Sequence, residues 1–148
     1  MKWNYKDYIK WLDDGHIINE NVLELDISNH DIQNIDYINN LPMLKVLHCY
    51  YNQITQLNNI NLPMLQILNC AYNQLTQLDN LNLPILQELH CYSNQITQLN
   101  NLNHLNHPML QELDCEYNQI TQLDNLNLPM LQILKCKPNQ SYNLFHII

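Results

Sequence analysis

One segment of this 148-residue chain recurs six times, and that recurrence limits the possible folds more than any other feature. The pattern is L-x-x-L-x-L-x-x-N-x-L. It is carried by Val22, Leu25, Ile27, His30 and Ile32, then by Leu44, Leu47, Cys49, Asn52 and Ile54. It returns at Leu65, Leu68, Cys70, Asn73 and Leu75, and again at Leu86, Leu89, Cys91, Asn94 and Ile96. The fifth copy is Leu110, Leu113, Cys115, Asn118 and Ile120. The sixth is Leu131, Leu134, Cys136 and Asn139, and breaks at Ser141. The starts lie 22, 21, 21, 24 and 21 residues apart, the long interval holding His104-Leu105-Asn106-His107. A unit of this size cannot bury its own apolar side, so the copies must stack and share one core. The expected organisation is a cap over 1–21, six units over 22–141 and a short tail over 142–148.

Alternation within each unit predicts a short strand. Its fourth and sixth positions, such as Leu68 and Cys70, point inward. Its third, fifth and seventh positions form an outer surface of three rows. The third-position row reads Glu24, Val46, Ile67, Glu88, Glu112, Ile133. The fifth reads Asp26, His48, Asn69, His90, Asp114, Lys135. The seventh reads Ser28, Tyr50, Ala71, Tyr92, Glu116, Lys137. Pro42, Pro63, Pro84, Pro108 and Pro129 are expected where the chain re-enters each strand, since a missing N–H costs least there.

At these residues the chain resembles the leucine-rich repeat family. The first unit, apolar at Ile32, Ile35, Ile38, Leu41 and Leu44, looks like the 22-residue class of internalins and of the protein phosphatase 1 regulatory subunit. The Asn-rich units are also similar to repeat proteins of giant DNA viruses. The resemblance implies an α/β repeat solenoid: a curved array with a parallel β-sheet on its concave face and 3₁₀ or irregular turns on its convex face. It also implies a structural role for the column Asn52, Asn73, Asn94, Asn118 and Asn139, whose amides would serve turn backbone that has no ladder partner. Asn139-Gln140-Ser141 matches a glycosylation sequon, a spurious match if Asn139 belongs to that column.

The N-terminal segment departs from the repeat. Tyr5, Tyr8, Ile9 and Leu12 have helical spacing, and Gly15 stands where a left-handed residue would end the helix. This predicts a helical cap; a membrane-surface helix is the rival reading. At the other end, Leu144 and Ile147 keep the turn spacing while Phe145 and Ile148 are left over. That predicts fraying of the last unit or weak homodimer formation through the C-terminal end.

Charge excludes some partners. The net charge is −8, all six basic residues are lysines, and none lies between Lys45 and Lys135. Nucleic acid and anionic membrane are therefore not expected as partners, because both need clustered cations. The N-terminus has no apolar core of a signal peptide and no run could span a bilayer, so the expected site is intracellular, in host cytoplasm if the chain is viral.

No enzyme, cofactor or metal centre is expected. The five cysteines form one inward column, with Cβ atoms too far apart for disulfides and too linear to converge on zinc. His90 beside Asp114 could in principle bind metal or move a proton, but no nucleophile is near. The candidate site is the concave face: Val46, His48, Tyr50, Ile67, Asn69, Glu88, His90, Tyr92, Glu112, Asp114 and Glu116. Apolar and aromatic residues there would form a patch, with carboxylates beyond it, suited to a protein partner with a basic surface. The alternative is a structural or self-associating protein with no dedicated ligand.

Overall fold

The computed structural model describes residues 1–139 apart from 58, 80, 101, 103–106, 124 and 125. The tail over 142–148 lies outside the described residues, as do the fraying and end-to-end pairing expected of it. Seven strands of three residues each form one sheet: β1 (Lys2–Asn4), β2 (Glu24–Asp26), β3 (Val46–His48), β4 (Ile67–Asn69), β5 (Glu88–His90), β6 (Glu112–Asp114) and β7 (Ile133–Lys135). All pairings are parallel and the spatial order is the chain order. Register is exact at the inward leucine, Leu25 opposite Leu47, then Leu68, Leu89, Leu113 and Leu134. Hydrogen bonding continues one residue past each strand, as in Cys49 N–H to Asn69 O at 2.9 Å and Cys91 N–H to Asp114 O at 2.8 Å. The fold is therefore a parallel solenoid of about six coils.

The repeat spacing explains the core. Val22, Leu44, Leu65, Leu86 and Leu110 enter it ahead of the strands, and Ile54, Leu75, Ile96 and Ile120 enter it after them; all are fully buried. The apolar spacing of three continues through Leu57, Leu78, Leu99 and Leu123, each under 5% exposed. Among the described residues only the first unit closes this side with a 3₁₀ turn, at Ile38–Asn40. The second, third and fifth units, with one residue fewer, cross it as irregular backbone where they are described.

The prolines do not stand at strand entry. Each is the second residue of a β-turn that closes two residues before the strand. Leu44 N–H donates to Leu41 O at 3.1 Å across Pro42, and Leu65 N–H to Leu62 O at 3.0 Å across Pro63. Proline's fixed φ favours that turn position, and its missing N–H is not needed there.

The cap is a strand and a helix. β1 extends the sheet by one strand, placing Trp3 in the inward column opposite Leu25. Helix α1 (Tyr5–Asp13) starts on a capping box: the Asn4 Oδ1 accepts from Lys6 and Asp7 N–H, and Asn4 N–H donates to the Asp7 carboxylate at 3.0 Å. It ends with Gly15 at φ +94°, His16 N–H reaching Trp11 O and Gly15 N–H reaching Leu12 O, the double bond pattern of a Schellman cap. Tyr8 and Trp11 are its buried residues, whereas Tyr5, Ile9 and Leu12 are only partly covered. The helix thus lies on the first coil, and among the described residues no helix is long and apolar enough to cross a membrane.

Candidate functional site

The outer side of the sheet is built from positions three and five of each strand. Val46, His48, Ile67, Asn69, Glu88, His90 and Glu112 are half-buried there, so each presents part of its side chain to solvent. Val46 and Ile67 are neighbours in register, an apolar pair, and Ile133 further along the same row is also exposed. The seventh-position row is uneven. Tyr50, Tyr92 and Glu116 are half-buried, but Ser28 and Ala71 are 8% and 0% exposed. Sequence reasoning put both on the surface; side chains this small do not rise above their neighbours.

The eighth position, absent from the sequence reading, carries three exposed rings. Asn29, Tyr51, Tyr72, Ser93 and Tyr117 all have φ between 50° and 62°. This left-handed residue turns the chain out of the strand so that the ninth residue, the asparagine, can point inward. For a residue with a Cβ it costs roughly 1–2 kcal/mol, least for Asn. Tyrosine nevertheless holds the position in three units. Tyr51 and Tyr72 stack at 4.0 Å with planes 8° apart. Tyr72 meets Tyr92 edge-on at 5.2 Å, and Tyr50 meets Tyr51 edge-on at 5.9 Å. Four rings therefore make one continuous ridge. The Tyr72 hydroxyl pushes the Tyr51 phenol above its ordinary pKa. The sequence signal was available in the doublets Tyr50-Tyr51 and Ala71-Tyr72, but alternation alone does not say which side a left-handed residue faces.

At the N-terminal end of the ridge lies an open groove of about 570 Å³, between the cap and the sheet. Trp3, Tyr5, Lys6, Asp26, His30 and Tyr50 line it. Tyr5 stacks on His30 at 3.7 Å, fixing one wall.

The acidic residues are partly neutralised from within. Lys135 donates to Glu112 at 2.9 Å and stands 3.8 Å from Asp114, which is 8% exposed. These contacts, with Glu112 foremost, raise the Lys135 pKa. The His90 imidazole faces Glu88 on its own strand at 3.6 Å. Asp114, its register partner, is committed to Lys135. The His90–Asp114 pair that row order suggested does not form. Among the described residues no group of three or more His, Cys, Asp or Glu is placed to hold a metal.

Two inward columns flank the site. Cys49, Cys70, Cys91, Cys115 and Cys136 are free thiols, the first four buried. Burial pushes Cys70 and Cys115 up to about 12. The asparagine column sits at the bend behind the ridge. The Asn73 amide donates to Cys49 O at 2.9 Å and Cys70 O at 3.1 Å, and its oxygen accepts from Ile54 N–H at 2.9 Å. Asn52, Asn94 and Asn118 repeat this, each tying a strand end to the coil before it. Asn139 does the same, its amide nitrogen bonded to Cys115 O and Cys136 O, so the sequon asparagine is engaged.

No protein-family model matches the sequence, and no curated protein matches it. Solved structures do. An internalin, InlF, from Listeria monocytogenes superposes with a TM-score of 0.73 at 26% identity, covering 81% of this chain and 36% of that one. Internalin C2 from the same species gives 0.67 at 28% identity, covering 78% of this chain and 50% of that one. The functional domain of Listeria monocytogenes InlJ, described as including a cysteine ladder, gives 0.54 at 29% identity, covering 83% and 31%. The chain thus spans half or less of the length of each. It has the leucine-rich repeat solenoid fold, and its structural neighbours are internalins.

Proposed function

We propose that the protein is a non-enzymatic module that binds a protein partner on the solvent-facing side of its sheet, the concave face of the array. The observation that carries this reading is the Val46–Ile67 pair beside the tyrosine ridge. Apolar and aromatic groups gathered on one side of a rigid array suit an interface, and tyrosine is enriched at interface hot spots. The internalin neighbours support a protein-interaction repeat in general terms. Glu88 and Glu116, outside the Lys135 cluster of short contacts, favour a partner with a basic surface.

The test is co-purification from native extract with Tyr50→Ala and Tyr92→Ala combined. The partner should be lost, while the melting temperature falls only as far as the lost ring contacts require, about 1 kcal/mol for each. Retention of the partner at wild-type level by the folded double variant would refute the site. Recovery of the chain's own copies alone would favour self-association instead.

A further inference from the structure

The tyrosine ridge has a chemistry of its own. Its rings are fixed by one another: Tyr51 against Tyr72 face to face, Tyr72 against Tyr92 edge-on. Tyr51, Tyr72 and Tyr117 are 50%, 39% and 59% exposed, so the ring surface not turned to a neighbouring ring is open to a ligand. Carboxylates bracket it. Asp26 shares the groove with Tyr50 at one end. Glu116 precedes Tyr117 at the other, one strand along from Tyr92 in the same row. The chain itself contains no arginine and carries a net charge of −8.

Resting on the reading that the sheet side receives a protein, we propose that the ridge is a docking track for an extended, arginine-rich segment of that partner. Guanidinium planes stack on tyrosine rings and keep their N–H groups free in the plane to reach carboxylates; an ammonium cannot do both. The four-ring ridge crosses two strand intervals from Tyr50 to Tyr92, and Tyr117 stands one interval further on, about 14 Å in all at the usual spacing. Four or five residues of extended chain, at about 3.3 Å each, cover that length. Arginines along it would then meet rings of the track while the flanking residues extend towards Asp26 and Glu116. A neutral proline-rich segment could use the rings but would gain nothing from the carboxylates. An acidic segment or nucleic acid is opposed by the charge.

The experiment is fluorescence anisotropy with the full chain and three short labelled peptides, alternating glycine with arginine, lysine or citrulline. The arginine peptide should bind about tenfold more tightly than the lysine peptide, and the citrulline peptide, neutral but isosteric, should bind weakest. Tyr51→Leu with Tyr72→Leu should erase the preference for arginine over lysine. Tyr51→Phe with Tyr72→Phe, which keeps the rings, should retain it. Glu116→Gln should weaken arginine binding several-fold. Equal binding of arginine and lysine peptides, or a preference that survives loss of both rings, would overturn the proposal. So would tighter binding of a proline-rich control peptide. An Ile67→Asp variant separates the two readings. If it loses the native partner while the ring variants keep it, the sheet side is an interface and the ridge is not the arginine track.

Discussion

At the scale of the residue, two buried polar side chains bear on stability in opposite directions. Asn94 accepts from Leu75 N–H and donates to Cys70 and Cys91 carbonyls, all buried. Asn94→Leu leaves those backbone groups without partners and should cost about 1–3 kcal/mol, read from urea unfolding. An unchanged midpoint would show that the column is dispensable. His107 occupies the position held by Leu41, Leu62, Leu83 and Leu128 in the other units, directly before the turn proline. It is 2% exposed, and among the described residues neither ring nitrogen has a hydrogen-bond partner. Burial lowers its pKa to about 4 from 6.5. The unfolded chain therefore takes up the proton first as pH falls. The neutral ring's contribution is complete above about pH 6.5 and is lost as pH drops towards 4, by on the order of 2–3 kcal/mol. His107→Leu should raise the melting temperature at pH 7 and flatten its decline between pH 6.5 and 4.5. A variant that declines as steeply as wild type would place the acid sensitivity elsewhere.

At the scale of the element, the cap shows how far periodicity can be read. Helical spacing and Gly15 marked the helix and its end, because a 3.6-residue period and a left-handed cap are both local properties. Strand β1 was not legible: Lys2-Trp3-Asn4 is too short to show alternation, and only pairing with β2 makes it a strand. The depth of Trp11 was missed for a related reason. The first coil decides which part of an apolar helix surface is covered, and it takes the Tyr8–Trp11 side. The Trp11 indole also donates to Ile17 O at 2.8 Å, pinning the chain after the helix. Trp11→Ala should destabilise the protein by about 3 kcal/mol or more and raise amide exchange at Leu25 and Ile27 first. Exchange rising equally in all coils would contradict a cap that protects mainly its neighbour. The prolines were legible as punctuation, but their turn needed the Leu41–Leu44 type of hydrogen bond to be seen.

At the scale of the whole molecule, the solenoid was legible because stacking repeats one solution: a period near 21 residues forces an in-register parallel sheet. The third- and fifth-position rows followed from alternation and keep their register on β3 to β6, although Asp114 is 8% exposed and Ala71 of the seventh row is fully buried. What did not follow was the tyrosine ridge, because position eight leaves the strand through a left-handed turn that breaks the alternation. Nor did the Lys135 contacts follow, since side-chain reach across strands is not a property of spacing. The stacked architecture makes a collective chemical prediction. Burial raises Cys70 and Cys115 to about 12, so in the native state these thiols should react slowly at pH 8 with a thiol reagent. In denaturant all five should react at once. Cys136, half-buried, should be the fastest native thiol. Fast native labelling of Cys70 would contradict the column. The central claim, that one side of this array receives a partner, is tested most directly by site-specific photo-crosslinking. A benzophenone amino acid is placed at Asn69 on the sheet side, or at exposed Gln77 in the turn that follows. The account predicts a discrete adduct with another protein from position 69 and none from position 77 in native extract. Adducts from position 77 alone, or equal adducts from both, would contradict it.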